Sequence, residues 1–290
     1  MLTSALTDRK VVLITGCSSG IGHACAQLLT TQGYWVFASA RNPKDVAALR
    51  AAGHHSLRLD LADSDSIKSA VEHIKAQTND RIDVLFNNAG FGQPGAVEDL
   101  SRAAMRYQFE TNVFGTMELT NTVLPIMRAQ GSGQIIQNSS VLGLVSMAFR
   151  GAYNASKYAL EGFSDTLRLE LDGTGIQVSL IEPGPVSSQF RYNAYQNFMQ
   201  NIDRINSPFA DIYQVTEQRL ANHHGPDPQF TVPALKVAQL VLKILQARRP
   251  KARYYITLPT YILGSCKRLL SSYWLDRILL KIMRHERKAS

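Results

Sequence analysis

Tyr153 and Lys157 stand four residues apart in the stretch Tyr153-Asn154-Ala155-Ser156-Lys157. Side chains at i and i+4 share one helix face, one turn apart. A free phenol titrates near ~10 and is a poor acid or base at neutral pH. A neighbouring ammonium favours the phenolate and brings the group toward the range useful for proton transfer. Many unrelated helices carry this spacing, so its company decides what it means. Upstream, Ser139-Ser140 ends a short apolar run, where a hydroxyl can hydrogen-bond a substrate oxygen. Asn112 lies inside a long helical stretch; such an Asn is ordinarily a tolerated polar residue, and here it can hold a water linking Lys157 to solvent.

A second constellation supplies a reaction partner. Thr15-Gly16-Cys17-Ser18-Ser19-Gly20-Ile21-Gly22 follows the first apolar run and opens a helical segment. Gly16, Gly20 and Gly22 permit a tight turn and a close backbone approach. Ser18, Ser19 and Ile21 then present free N–H groups of a helix start to a pyrophosphate. The spacing is G-x-x-x-G-x-G, and its setting in the first strand-turn-helix unit argues for a dinucleotide. Where NAD-preferring folds place an acid on the ribose, this chain has Ala40, followed at once by Arg41. An arginine there pairs with a 2′-phosphate, so NADP(H) is the expected cofactor. Asp60 is expected at the adenine amino group. Asn87, Ala89 and Gly90 end the fourth strand, with Asn87 expected to tie adjacent strands. Pro183 and Gly184, with Val186 and Ser188 just beyond, end the sixth strand and line the same crevice.

These residues need a frame. Apolar runs at 11–14, 35–38, 57–59, 84–86, 135–137 and 178–181 read as buried strands, with a seventh at 254–258. Helical stretches at 21–31, 64–78, 102–128 and 152–172 alternate with them. That alternation predicts an α/β fold: one doubly wound parallel sheet of Rossmann type, about seven strands, helices on both faces. Residues 1–258 are expected to form one dinucleotide-binding and catalytic domain. Within it, 187–231 breaks the alternation and reads as a long irregular lid. The chain has 290 residues, enough to bury a core without staples. Cys17, Cys25 and Cys266 show neither disulfide nor metal spacing, so no metal is expected, and a reducing, cytoplasmic setting is. No signal-peptide run or membrane-spanning stretch is read.

Together, Thr15–Gly22, Asn87–Gly90, Asn112, Ser140, Tyr153/Lys157 and Pro183-Gly184 resemble the ordered motif set of short-chain dehydrogenases/reductases, over nearly the whole chain to about residue 258. Phe91-Gly92, the run from Ser156 to Glu161 and the run from Leu180 to Pro185 look closest to a bacterial NADP-dependent aldehyde reductase subgroup related to hydroxysteroid and retinol dehydrogenases. The resemblance implies Tyr153 as proton donor in reduction and Lys157 as the group that tunes it and binds the nicotinamide ribose. It implies Ser140 as the residue that orients the carbonyl, and Asn112 as support for the proton relay. Ser188 stands where the family often has Thr, and its hydroxyl preserves the carboxamide contact. A homodimer or homotetramer is implied as well. A non-catalytic NADP(H)-binding sensor or scaffold on the same fold is the alternative, but it has no need of all four catalytic residues.

On the substrate side, Leu142, Phe149 and Phe190 join Ser140 and Tyr153 as expected contacts for a small apolar aldehyde, ketone or alcohol. Net charge is +8, yet from Lys243 onward twelve Lys and Arg face two acids, so the basic character belongs to the tail. That distribution argues against nucleic acid as a partner. Residues 259–290 form a basic amphipathic extension that either docks on protein or makes a peripheral membrane contact.

Overall fold

A computed structural model describes residues 9–222 and 230–288; the N-terminal residues read for a leader, part of the predicted lid and the tip of the tail lie outside them. Seven strands form: β1 Val11–Ile14, β2 Trp35–Ala40, β3 His55–Arg58, β4 Val84–Asn87, β5 Gly133–Asn138, β6 Ile176–Glu182 and β7 Arg253–Tyr255. The helices are α1 Gly20–Thr31, α2 Pro43–Ala51, α3 Ser64–Thr78, α4 Arg102–Phe109, α5 Thr116–Gln130, α6 Gly151–Glu170, α7 Phe190–Asn201, α8 Ala210–Ala221, α9 Ala234–Gln246, α10 Leu258–Leu269 and α11 Ser272–Lys288.

The strands make one parallel sheet in the order β3-β2-β1-β4-β5-β6-β7, the doubly wound sheet the alternation predicts. Both β1 and β4 are buried along their whole length, as strands covered on two faces must be. On one face Leu29, Val241 and Ile244 pack on Val12, Val36 and Phe86; on the other Ile67, Leu119 and Met127 pack on Leu13, Phe37 and Leu85. Winding reverses between β1 and β4, which opens a crevice at their C-terminal ends, the usual place for a ligand in this architecture.

Three expectations need correction. The helix expected over 102–128 is broken by a π-turn at Glu110–Gly115, centred on Asn112. There Gly115 lies so close to Leu61 that an added Cβ would sit 1.7 Å from its carbonyl oxygen. The lid is not irregular: it contains α7 and α8, which pack through Phe198, Tyr213 and Leu220 into a small core shared with Ala96, Leu100 and Phe149 of the body. Its two ends are stitched together by a Val186–Val232 bridge, with Ser187 N donating to Val232 O at 3.0 Å and Val232 N to Pro185 O at 3.1 Å. The amphipathic tail is two helices, parted at the extended residue Leu270. Their inner side chains Leu263 and Leu275 pack against Val141, Leu142 and Val145 of the body.

Candidate active site

The crevice is held by a run of hydrogen bonds that starts at the glycine loop. Thr15 Oγ1 accepts from the backbone N–H of Asn88 and of Ala89, each at 2.9 Å. Asn88 Nδ2 donates to Thr15 O at 2.9 Å and Gly16 O at 3.1 Å, and Asn138 Nδ2 donates to Asn88 Oδ1 at 3.0 Å. Asn88, not Asn87, ties the strands. Asn87 turns toward the helix layer and donates to Thr120 Oγ1 at 2.9 Å. Two adjacent asparagines point to opposite sides of a strand, and sequence alone did not say which faced the loop.

The loop fits a dinucleotide pyrophosphate. Ser19 sits at the N-cap of α1, yet its side chain caps nothing, and no acid occupies the first turn. The first N–H groups and the positive dipole end therefore stay open to an anion. Gly16 has φ +71°, and a Cβ there would lie 2.9 Å from Ala89 Cα. Gly20 has φ +57°, and a Cβ there would strike Ser188 Cβ at 2.7 Å. The start of the lid thus rests on the glycine loop. A Cβ on Gly22 would sit 2.2 Å from Gly16 O. Gly22→Ala is therefore expected to cost about 1–3 kcal/mol and to displace the loop, read as a lower Tm together with weakened NADPH binding. A variant with wild-type binding would show that the loop has room to spare. Cys17 takes no part: it is buried, its thiol donates to Ile14 O at 3.3 Å, and burial pushes it up to about 12.

Ser140 and Tyr153 meet beside this loop. Ser140 follows β5 and accepts from Leu142 N at 3.1 Å, and its hydroxyl stands beside the Tyr153 phenol and favours its ionised form. Lys157, one turn along α6 and buried, donates to the backbone oxygen of Asn138 at 2.6 Å. Its Nζ lies 5.7 Å from the centre of the Tyr153 ring. Among the protein's own groups, burial outweighs the effect expected of this ammonium. Burial pushes Tyr153 up to about 12, with Ser140 drawing it partway back, and burial pushes Lys157 down to about 8 despite Glu161. Desolvation is the larger effect on both groups, and the ammonium's hydrogen bond goes to a carbonyl. Tyr153 therefore keeps its proton at neutral pH, the state a proton donor needs.

The Asn112 carboxamide is engaged by neighbouring elements. Its Oδ1 accepts from Phe91 N at 3.1 Å, and its Nδ2 donates to Phe91 O at 3.0 Å and to Ser156 Oγ at 3.2 Å. It clamps the loop after β4 to α6, and Gln108, unnoticed in the sequence, ties the same loop to α4 through Phe91 O at 2.8 Å and Gln93 N at 2.7 Å.

A buried acidic group stands behind Lys157. Glu161 and Asp165 continue the i+4 stripe of α6. From β7, Arg253 reaches Glu161 at 2.9 Å, Asp165 at 2.8 Å and Glu182 Oε1 at 3.2 Å. Glu182 ends β6 and is fully buried. Burial and the nearby Glu161 push its carboxyl up to about 8, against the pull of Arg253. Burial raises Glu161 as well. The signal available in the sequence was a carboxylate inside an otherwise apolar strand, Leu180-Ile181-Glu182.

Arg41 is exposed at the end of β2 and donates to Tyr107 Oη at 3.3 Å. That bond, with Asp60 and Asp45 nearby, raises the guanidinium further. Asp60 Oδ1 accepts from Ala62 N at 3.1 Å. Gly184 N donates to Thr257 Oγ1 at 3.1 Å, and Pro183 O accepts from Val141 N at 2.8 Å, joining the ends of β5 and β6. On the substrate side, Phe190 packs edge-on to Tyr153, ring centres 5.3 Å apart, and Leu142 shares a cluster with Tyr153. Phe149 goes elsewhere: it packs on Phe209 at 5.3 Å within the lid core, so the structure does not group it with Tyr153. Among the described residues no set of three or more His, Cys, Asp or Glu could hold a metal ion.

Comparison with known proteins gives the family of this fold. Residues 10–197 match the short chain dehydrogenase family model. An oxidoreductase of Escherichia coli K12, YbbO, whose function is uncharacterised, is 41% identical over 96% of this chain and 97% of its own. Human 17-beta-hydroxysteroid dehydrogenase type 1 is 35% identical over 86% of this chain and 78% of its own. A short chain dehydrogenase/reductase from Burkholderia phymatum, solved in complex with NAD, superposes with a TM-score of 0.73 at 27% identity, over 91% of this chain and 93% of that one. The chain belongs to the short-chain dehydrogenase family and is an oxidoreductase of it.

Proposed function

We propose that the chain is an NADP(H)-dependent oxidoreductase that interconverts an apolar aldehyde or ketone and its alcohol. The observation that carries this reading is the meeting of Ser140, Tyr153 and Lys157 beside an uncapped glycine-rich helix start. Gly16, Ser18, Ser19, Gly20, Ile21 and Gly22 would hold the pyrophosphate. Asn88, Ala89 and Gly90 would flank the ribose and nicotinamide with Pro183, Gly184, Val186 and Ser188, while Asn87 is spent on Thr120. When bound, the nicotinamide supplies or accepts the hydride. In reduction, Ser140 orients the carbonyl oxygen and Tyr153 gives that oxygen its phenolic proton. Lys157 holds the nicotinamide ribose and the local charge, while Asn112 keeps the loop and α6 in register for the relay. A catalytic proton transfer of this kind contributes about 10²–10⁴-fold.

Leu142 and Phe190 beside Tyr153 favour an apolar substrate, in keeping with the steroid named for the human relative. Exposed Phe114, Phe163 and Leu169 on and beside α5 and α6 support a homodimer through that face, which sedimentation would read directly. Following NADPH oxidation against a panel of aldehydes, ketones, steroids and retinoids tests the reaction. Turnover confined to polar carbonyls would reject the substrate class, and no turnover at all would reject the activity.

The preference for NADP(H) rests on Arg41 and on Ala40 standing where a ribose-binding acid would be. Arg41→Asp removes the cation and adds a repelling carboxylate. It is expected to lower the NADPH/NADH ratio of kcat/KM by about tenfold or more, the loss of one charge-assisted contact to phosphate. An unchanged ratio would take Arg41 out of the site.

A further inference from the structure

We propose that the turn between α10 and α11 is a docking tip for an anionic membrane surface. Leu269, Leu270, Tyr273 and Trp274 fall within six residues, and all are exposed, Leu269 at 82% and Trp274 at 58%. Lys267 and Arg268 precede them and Arg277 follows, its guanidinium 5.6 Å from the Tyr273 ring centre and 6.0 Å from that of Trp274. Lys281 and Arg284 continue the basic side of α11, with Asp276 the one acid of the described tip.

Docking on protein and lying on lipid can belong to different faces of the same helices. The inner stripe, with Leu263, Leu275 and Leu279, is already committed to the body. Among the described residues, Leu269, Leu270, Tyr273 and Trp274 belong to no buried cluster of the body and stay exposed, while Arg268 reaches back over the Tyr255 ring at 6.0 Å. A two-fold contact between copies would set this patch against itself and bring like charges together. An acidic leaflet instead neutralises the cations, while the tyrosine and tryptophan take the interfacial positions such rings prefer. No helix among the described residues is long and apolar enough to cross a membrane, so attachment would be to one leaflet. The inner stripe packs in the cluster that contains Tyr153 and Leu142, and a docked chain would therefore hold its substrate side near the lipid.

The full chain should pellet with phosphatidylglycerol vesicles, far less with phosphatidylcholine vesicles, and less again in high salt. Trp274 emission should shift to the blue, against the steady background of half-buried Trp35. Leu269→Ser with Trp274→Ser, and separately Lys267→Glu with Arg268→Glu, should each weaken vesicle partitioning by about tenfold or more. An unchanged melting temperature in both variants separates lost binding from lost folding. Three results overturn the proposal: no pelleting with the anionic vesicles, equal pelleting with neutral ones, or full binding by both variants. A concentration-dependent dimer dissolved by the same substitutions, without vesicle binding, overturns it too and gives the tip to a second copy. None of these readings depends on turnover, so they stand apart from any failure of the catalytic assignment.

Discussion

Tyr153→Phe is expected to lower carbonyl reduction by about 10²–10⁴-fold, the usual worth of a positioned proton donor, while leaving NADPH binding unchanged. The substitution deletes one oxygen and keeps the ring, so the edge-on contact with Phe190 and the packing beside Leu142 survive. Ser140 loses its phenolic partner but keeps its bond from Leu142 N, which holds the end of β5 in place. The pair of measurements that decides the matter is steady-state turnover and NADPH titration by fluorescence. Turnover retained at the wild-type level would remove Tyr153 from the chemistry. Turnover and binding lost together would point to a collapsed site instead.

The second large effect concerns stability. Arg253→Met is expected to cost about 3–5 kcal/mol, because it strips the shared cation from carboxylates that stay buried. Glu182→Gln separates the charge from the packing. The Glu182 carboxyl sits at about 8 in the folded chain, above its ordinary value of 4.5. Between those values the native state holds a proton that the unfolded chain releases. The contribution is complete below 4.5 and is lost as pH rises toward about 8. Glu182→Gln should therefore flatten the fall of Tm over that window and gain on the wild type at its alkaline end. Thermal melts across the window check this, and parallel pH profiles for the two proteins would count against a proton held at Glu182.

The sheet was largely legible because its strands are apolar on both faces and its turns are marked by Gly, Asn and Pro. The glycine loop, Ser140, Tyr153 and Lys157 were found from spacing, since one helical turn and one strand end are fixed distances. What stayed hidden was direction and competition. Sequence could not say that Asn88 rather than Asn87 faces the loop, or that Lys157 bonds a carbonyl instead of the phenol. Nor could it foresee that Asn112 breaks its helix into a π-turn. Its carboxamide is consumed by Phe91 from another element, and long-range partners of that kind leave no local mark. The Arg253 network was unread for the same reason: its four members lie on α6, β6 and β7. Phe149, with the right composition for a substrate wall, was claimed by the lid core.

The stitch between Val186 and Val232 has a consequence for how such a chain can diversify. The insert departs from and rejoins the body at that paired position, and between these ends Asn201 holds Gln93, Ser207 and Tyr213 hold Asp99, and Phe190 leans on Tyr153. Lengthening or reshaping that insert changes the closure entropy only slowly. Length is thus cheap to vary in the insert, whereas its residues that touch Asp99, Tyr153 and the glycine loop are tied to the proton donor and the dinucleotide cradle.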